Sequence, residues 1–258
     1  GNSNIAIGGC TMSSYTITGI NNVAIGRDAG RKLCTGYCNV FIGDAVGCAV
    51  QTGYRNFMGG YFAGKGVTTG YENVYIGTKA GYNNNTGKYN VWIGSCAGCS
   101  FSNAGNSCNA DNTVLIGYQA GQCITGGNSH VIIGSGAAKC LQTGYSNIII
   151  GKYAGKCSQD QRGNVFIGAN AACLNTSGRC NVAIGKGVVL PKLNECCQLA
   201  IGIGAYAGSS INWINGNDQF MVGIGTTNPS SRLSVAGDAC VSGVITASNF
   251  AKADGSSL

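Results

Sequence analysis

Residues 39–55 read NVFIGDAVGCAVQTGYR, and versions of this unit follow one another along most of the chain. We number the unit from position 1 at Asn39 to position 17 at Arg55. The glycine at position 5 recurs at Gly8, Gly26, Gly43, Gly60, Gly77, Gly94, Gly117, Gly134, Gly151, Gly168, Gly185 and Gly202. Successive intervals are 17 residues, apart from a first interval of 18 and a later one of 23. Because a short fixed period is typical of solenoids, the sequence predicts an all-β fold, a parallel β-solenoid or β-roll of twelve turns over residues 1–208.

The composition agrees with many short strands and excludes several other classes of protein. Glycine accounts for 44 of 258 residues, only two residues are proline, and 10% are charged. Abundant glycine without proline or a three-residue period excludes collagen, and an apolar content of 44% is too high for a disordered chain. The net charge of +7 comes from scattered single cations, which predicts no nucleic-acid partner and a mild preference for anionic glycans. No apolar run approaches the ~18 residues of a transmembrane helix, so no membrane insertion is expected.

Positions 2 to 4 of each unit have the composition of a short strand. Val and Ile dominate positions 2 and 4, and the glycine at position 5 ends the apolar run. Because side chains alternate across a strand, positions 2 and 4 share one face. We predict that this face forms the core of the solenoid and that position 3 points away from it.

Position 3 is the basis for predicting a partner chain. It ranges in size from Ala to Trp but is never charged or strongly polar. A strand that is apolar on both faces is buried on both, so position 3 is predicted to pack against other copies of the chain. We favour a homotrimer, although the pattern requires only a partner. The trimer-interface candidates are Phe41, Met58, Tyr75, Trp92, Leu115, Ile132, Ile149 and Phe166.

Asparagine occupies position 1 in nine of the twelve units, and stacked turns would place these side chains one above another. The pattern predicts an amide ladder between turns, although asparagine also suits a turn without any ladder. Glycines at positions 5 and 9 are predicted to form corners that need positive φ or a close backbone approach. The ladder candidates are Asn22, Asn39, Asn56, Asn73, Asn90, Asn147, Asn164 and Asn181.

The 23-residue interval contains six extra residues between Cys99 and Asn112. Insertions in solenoids emerge as loops on one face, which is often the binding face. This loop is therefore the candidate for receptor contact, with a neutral decoration as the alternative. The candidate contact residues are Phe101, Asn103, Asn106 and Asn109.

The repeat stops after Gly208, and residues 209–258 are predicted to form a thinner β stem or linker. Two alternating stretches, at residues 232–236 and 240–247, have the pattern of strands. Because the chain begins and ends without a visible capping element, we interpret it as a fragment of a longer fibre.

No motif in the chain predicts an enzyme, a cofactor or a metal. The fifteen cysteines follow the repeat, and we favour reduced thiols over disulfides within or between chains. Cys96 and Cys99 form a lone CxxC without the second pair that zinc requires. The single histidine, His130, stands where other units have asparagine, so we interpret it as a structural substitution.

The unit resembles the head repeats of trimeric autotransporter adhesins, and more closely the tail-fibre proteins of bacteriophages, cyanophages especially. In such fibres, NVFIG units with interspersed cysteines precede a VGIGTTxP segment and a GDGSxL linker. Here residues 222–229 read VGIGTTNP and residues 253–258 read ADGSSL. The resemblance implies a virion protein that is assembled in the host cytoplasm and acts extracellularly. It also implies contacts with other tail proteins and attachment to the host surface, with a surface glycan as the candidate receptor.

Three functions therefore remain as expectations from the sequence. The first is a trimeric virion fibre that serves as a rigid spacer and takes part in host attachment. The second is a cellular trimeric surface adhesin. The third and most remote is an ice-binding solenoid, which would need a regular flat array of threonines where this chain has one interrupted column.

Overall fold

The computed structural model describes residues 3–99, 109–190 and 196–202, and the backbone of three strands beyond them. It is an all-β parallel solenoid of about 11 turns, and the described residues contain no helix. The strands are β1 Ile5–Ile7, β2 Val23–Ile25, β3 Val40–Ile42, β4 Phe57–Gly59, β5 Val74–Ile76, β6 Val91–Ile93, β7 Val114–Ile116, β8 Val131–Ile133, β9 Thr143–Tyr145, β10 Ile148–Ile150, β11 Asp160–Arg162, β12 Val165–Ile167, β13 Ser177–Arg179, β14 Val182–Ile184, β15 Gln198–Ile201, β16 Ile211–Gly216, β17 Gln219–Ile224 and β18 Leu233–Val235.

Twelve of these strands form one long parallel sheet in the order β1-β2-β3-β4-β5-β6-β7-β8-β10-β12-β14-β15. Each position pairs with the same position of the next turn, as in Phe41 with Met58. The register survives the 23-residue interval, since Val91 pairs with Val114. The strands predicted at positions 2 to 4 are therefore confirmed.

A second, smaller parallel sheet stacks in three of the later turns. Its order is β13-β11-β9, and it pairs Thr143 with Asp160 and Asp160 with Ser177. These strands occupy positions 14 to 16, for which the sequence analysis predicted no strand. Two sheet faces therefore enclose this part of the coil.

The interior of the solenoid is lined by position 3, which corrects the sequence-based prediction. The eight residues predicted to contact partner chains are fully buried within a single chain: Phe41, Met58, Tyr75, Trp92, Leu115, Ile132, Ile149 and Phe166. Positions 2 and 4, predicted to be the core, point outward instead. Alternation along a strand correctly separated the two faces but could not tell which one the chain encloses.

Two further columns complete the core beside position 3. Position 8 is mostly alanine, as in Ala63 and Ala97, and position 12 carries either apolar side chains such as Leu33 and Val67 or buried polar ones such as Asn84. Where position 3 is the small Ala183, the same turn contributes the larger buried Val188 and Leu190. In that turn, the volume that is missing at position 3 is filled by other positions of the same chain, since cores fill to near-crystalline density.

Glycine is required at positions 5 and 9 for different structural reasons. Gly43, at position 5, has φ of +131°, and an added Cβ would lie 2.9 Å from the carbonyl oxygen of Gly60 in the next turn. Gly98, at position 9, has φ of +57°, and its Cβ would lie 2.5 Å from the Trp92 ring. Position 5 thus permits the turns to stack, and position 9 makes room for the position-3 side chain.

The parallel order ends at β15, where an antiparallel hairpin of β16 and β17 extends the sheet. β18 then pairs in parallel with β17 and lies within the predicted strand at residues 232–236. The second predicted strand, at 240–247, lies outside the described residues. The boundary at residue 208 and the thinner stem stay predictions.

Candidate functional site

The position-1 asparagines form a buried ladder that runs along the first turns. The backbone N–H and the Nδ2 of Asn39 both donate to Oδ1 of Asn22, each at 3.0 Å. The same Nδ2 also donates to the carbonyl of Gly53 at 2.8 Å. Asn56, Asn73 and Asn90 repeat this set of bonds. Each buried amide is therefore satisfied by the turns around it, which is the condition for keeping a polar column inside.

The ladder changes at two turns and then resumes. Thr113 donates its N–H to Oδ1 of Asn90 at 3.0 Å, and His130 presents Nδ1 to the N–H of Asn147 at 3.3 Å. Below it, Asn164 and Asn181 again donate backbone N–H groups to the asparagine above. All eight predicted ladder residues thus take part in this column.

His130 is a residue of the column whose hydrogen bonding is incomplete. Its ring is fully buried, and Nε2 makes no hydrogen bond of good geometry although the Gly144 backbone is close. Burial lowers the pKa of His130 to about 4, against a smaller opposing effect of that backbone. The ring is therefore neutral at neutral pH and accepts a hydrogen bond as an asparagine oxygen would.

The outward face of the long sheet carries an apolar surface that we call the strand-face stripe, made of positions 2 and 4 of every turn. All its side chains are Val, Ile, Leu or Phe, except Gly59. Ile42 is 44% exposed and Ile76 38%. With twelve strands about 4.8 Å apart, the stripe is roughly 53 Å long.

Ion pairs flank the strand-face stripe in the early turns. Arg27 pairs with Asp44 at 2.7 Å at position 6, and Arg55 pairs with Glu72 at 2.9 Å at position 17. A contiguous apolar surface with a polar rim is typical of a protein–protein interface. The sequence analysis assigned this face to the interior and so missed it as a candidate contact surface.

The predicted receptor-contact loop is only partly described. Phe101, Asn103 and Asn106 lie outside the described residues. Asn109 is exposed, and its Oδ1 accepts a 2.7 Å hydrogen bond from the Thr86 hydroxyl. This contact ties the end of the insertion to the preceding turn.

A column of tyrosines at position 16 was not identified from the sequence. Tyr37, Tyr54 and Tyr71 stack with centroids 4.9 and 4.7 Å apart and planes within 6° of parallel. Tyr89 then meets Tyr71 edge-on at 5.4 Å. The in-register repeat of tyrosine every 17 residues is the signal that could have revealed the stack.

Cations are concentrated at positions 10 and 11, on an edge distant from the strand. Arg31, Lys32 and Lys65 line a groove with Cys48 and Tyr82, and the cavity volume is about 220 Å³. The Lys65 Nζ lies 4.3 Å from the Phe62 ring centroid and 3.2 Å from the Tyr82 hydroxyl. The scattered charge seen in the sequence is therefore locally concentrated by the stacking of turns.

The described cysteines are all free thiols. Burial, followed by the neighbouring Cys96, raises the pKa of Cys99, and burial also raises the pKa of Cys48. A raised pKa leaves little thiolate for nucleophilic attack or exchange. Cys99 therefore lacks the lowered pKa that a redox-active cysteine needs.

Two other features are absent from the described ranges, a metal site and a membrane-spanning helix. No group of three or more His, Cys, Asp or Glu side chains converges there as a metal site requires. None of the described segments forms a helix of the length and apolarity that crossing a bilayer requires.

Comparison of the chain with protein-family models, curated proteins and solved structures finds no match. The assignment of function therefore rests on the solenoid, its surfaces and the sequence segments described above.

Proposed function

We propose that this chain is a segment of a trimeric virion fibre, a rigid spacer that also takes part in attachment to the host surface. The observation that carries the proposal is the strand-face stripe. It is continuous, apolar, rimmed by ion pairs and open to solvent in a single chain. An exposed apolar surface of this length needs a partner, and a second and third copy offer surfaces of the same length and repeat.

The trimer contact is thus proposed for positions 2 and 4 rather than for position 3. In a closed cyclic assembly, the stripes of three parallel solenoids would meet around a common axis. Isoleucine and valine at matched heights would fill that axis without any polar group to bury. Position 3 would then form the core within each chain and would not contact the other chains.

The mechanical role is supported by the way in which the turns are joined. Backbone hydrogen bonds link successive turns on several sides, for example from Val40 N–H to the Asn56 carbonyl at 2.8 Å and from Gly47 N–H to the Ala63 carbonyl at 2.9 Å. The asparagine ladder adds buried bonds along the same axis. A rod with such bonds resists local opening and suits a spacer.

The virion setting is supported by the resemblance of residues 222–229 and 253–258 to segments of bacteriophage tail fibres. In that setting, the rod would join other tail proteins and hold the host-binding surfaces away from the particle. The chain would act outside the cell after assembly in the host cytoplasm.

The experiment that tests the assembly compares two double variants by light scattering and circular dichroism. We expect the wild-type protein to have three times the 26.2 kDa mass of one chain. The variant Ile42→Asp/Ile76→Asp should fall to the mass of one chain while it keeps its β spectrum, because both side chains are already exposed in the single chain. Charge placed in a buried apolar interface opposes association strongly.

The matched control is Thr52→Asp/Thr69→Asp, which adds the same charges in exposed positions on another side of the coil. It should keep the mass of the wild type. A wild-type protein that stays monomeric at micromolar concentration would refute the trimer, as would a control that dissociates as fully as the stripe variant.

A further inference from the structure

Positions 10 and 11 form an edge of the solenoid that carries positive charge only. Its cations are Arg31, Lys32, Lys65, Lys139 and Lys156. The described carboxylates stand at other positions of the repeat: Asp28, Asp44, Glu72, Asp111 and Asp160. We call this surface the cationic edge.

The lysines of the cationic edge form no ion pair with any described carboxylate. An arginine supplies the cation in the pairs Arg27–Asp44, Arg31–Asp28, Arg55–Glu72 and Arg162–Asp160, and of these arginines only Arg31 belongs to this edge. Its nearest carboxylate oxygen, on Asp28, is 3.6 Å away, which is long for a charge-assisted bond. The positive charge of the edge is thus largely unneutralised by the protein.

The edge is grooved where its cations are densest. The 220 Å³ cavity beside Lys65 and Tyr82 shares Arg31 and Lys32 with a second cavity of about 460 Å³, which is lined also by Ser13, Tyr15 and Gln51. The two cavities therefore form one groove that runs along the solenoid axis. Hydroxyl and amide groups lie beside the cations, and the Tyr15 ring is fully exposed.

We propose that this groove binds an acidic polysaccharide along the axis of the rod. Carboxylate or sulfate groups would pair with Arg31, Lys32 and Lys65, while sugar hydroxyls would bond to Ser13 and Gln51. Lys65 lies two turns beyond Arg31 and Lys32, which is about 10 Å along the axis at about 4.8 Å a turn, so an extended polymer can contact both groups of cations. The proposal names the ligand class for the attachment role proposed above, but it does not require the trimer.

An acidic glycan fits this groove better than a nucleic acid does. Single-stranded nucleic acids bind to aromatic platforms on which successive bases stack. Along this groove the Lys65 ammonium lies 5.4 Å from the centroid of the Tyr82 ring, and the Tyr15 ring is fully exposed. The groove therefore supplies charge and hydrogen bonds with little stacking surface.

The edge also stays open in the proposed assembly. Positions 10 and 11 follow the turn that leads away from the strand, whereas the strand-face stripe occupies positions 2 and 4. Lys32, at position 11, is exposed in the single chain. Ligand binding and assembly can therefore be tested independently.

The test measures binding of oligogalacturonate to the intact chain by calorimetry, with neutral dextran of the same length as the comparison ligand. We expect the wild type to bind only the acidic oligosaccharide, and to bind it more weakly as salt screens the charges. The variant Lys32→Gln/Lys65→Gln should lose at least about tenfold in affinity, since it removes two charge-assisted contacts. It should keep the circular dichroism spectrum of the wild type, because Lys32 is exposed and Lys65 is only half-buried, with a small loss of thermal stability from the Lys65 contacts with Phe62 and Tyr82.

The matched control is Lys152→Gln/Lys186→Gln, which lowers the net charge equally at position 6 of two other turns. It should bind within about twofold of the wild type, because screened charges far from the groove contribute little.

Equal losses of affinity in both double variants would show attraction to net charge alone and would overturn the site. An absence of binding by the wild type would overturn it too, and so would equally tight binding of a single-stranded oligonucleotide. If the protein is a trimer but does not bind oligogalacturonate, only the proposed glycan site is refuted. If it binds oligogalacturonate but is a monomer, only the proposed trimer is refuted.

Discussion

Trp92 and Gly98 belong to the same turn, and their contact explains two columns of the repeat. The indole occupies the space that a side chain at position 9 would need, as the 2.5 Å distance to a Cβ on Gly98 indicates. Phe41 and Gly47 show the same relation at 2.8 Å. The glycine of the Ala-Gly pair is therefore required by packing as well as by its left-handed backbone.

Ordinary residues also adopt left-handed backbone angles at two fixed positions of the repeat. Position 7 includes Ala45 with φ of 51° and Phe62 with 59°, and position 17 includes Arg55 with 53° and Glu72 with 54°. Such angles cost about 1 kcal/mol or more in a residue with a Cβ. They are held by hydrogen bonds between turns, such as that from Arg55 N–H to the Tyr37 carbonyl at 3.0 Å. No residue preference marks these corners in the sequence.

His130 predicts a pH dependence of stability. Its pKa is about 4 in the folded protein against 6.5 in an unperturbed histidine. Above pH 6.5 the ring is neutral in both states and contributes no dependence. As the pH falls toward 4, the unfolded chain binds a proton that the folded chain does not, so stability falls by up to roughly 3 kcal/mol. Denaturant unfolding at pH 7 and pH 4.5 measures this loss.

The variant His130→Asn isolates this effect because it restores the usual ladder residue. Between pH 7 and pH 4.5 its free energy of unfolding should fall less than that of the wild type. The difference between the two proteins should be close to the roughly 3 kcal/mol attributed to His130. Identical pH profiles for the two proteins would show that His130 is not responsible.

At the scale of the elements, the asparagine ladder is the column whose interruption should be most costly. Asn56→Ala leaves the Nδ2 of Asn73 without its acceptor on Asn56 and the Gly70 carbonyl without its side-chain donor. Buried polar groups without partners cost about 1–3 kcal/mol each, so we expect a loss of about 2–4 kcal/mol in the free energy of unfolding. Chemical denaturation followed by circular dichroism measures it.

Thr52→Ala is the control for the ladder variant, because Thr52 is a polar residue of the neighbouring turn whose side chain is exposed. Surface substitutions of this kind usually change stability by less than about 0.5 kcal/mol. If Asn56→Ala were as mild as Thr52→Ala, the ladder would contribute nothing beyond its backbone bonds.

At the scale of the whole molecule, every turn has the same repeat, so like positions stack in register. A favourable contact between two turns therefore recurs along the rod. The same stacking that builds the core also gathers isoleucines on the strand-face stripe and cations on the cationic edge. Neither surface is visible in a single unit, since each needs several turns to reach a useful size.

The assembly is predicted to be independent of disulfides. Every cysteine in the described part of the chain is a free thiol, and burial raises the pKa of Cys48 and Cys99. The mass of the assembly measured by light scattering should therefore be the same with and without dithiothreitol. A fall in mass on reduction would reveal bridges between chains, through exposed thiols such as Cys38 and Cys180. Alkylation of the thiols before assembly provides the control.

By itself, the sequence determined the period, the strand at positions 2 to 4, the glycine corners and the residues of the asparagine ladder. All of these follow from local rules, namely side-chain alternation, backbone sterics and the alignment of like positions in stacked turns. The tertiary structure alone decided that position 3 is enclosed and that positions 2 and 4 face outward. Alternation relates a residue only to its neighbours on the strand, whereas inside and outside depend on the direction in which the whole turn closes. That direction is set together by the corners at positions 5, 7 and 17 and by the room that glycine and alanine leave for Trp92, Tyr75 and Phe41.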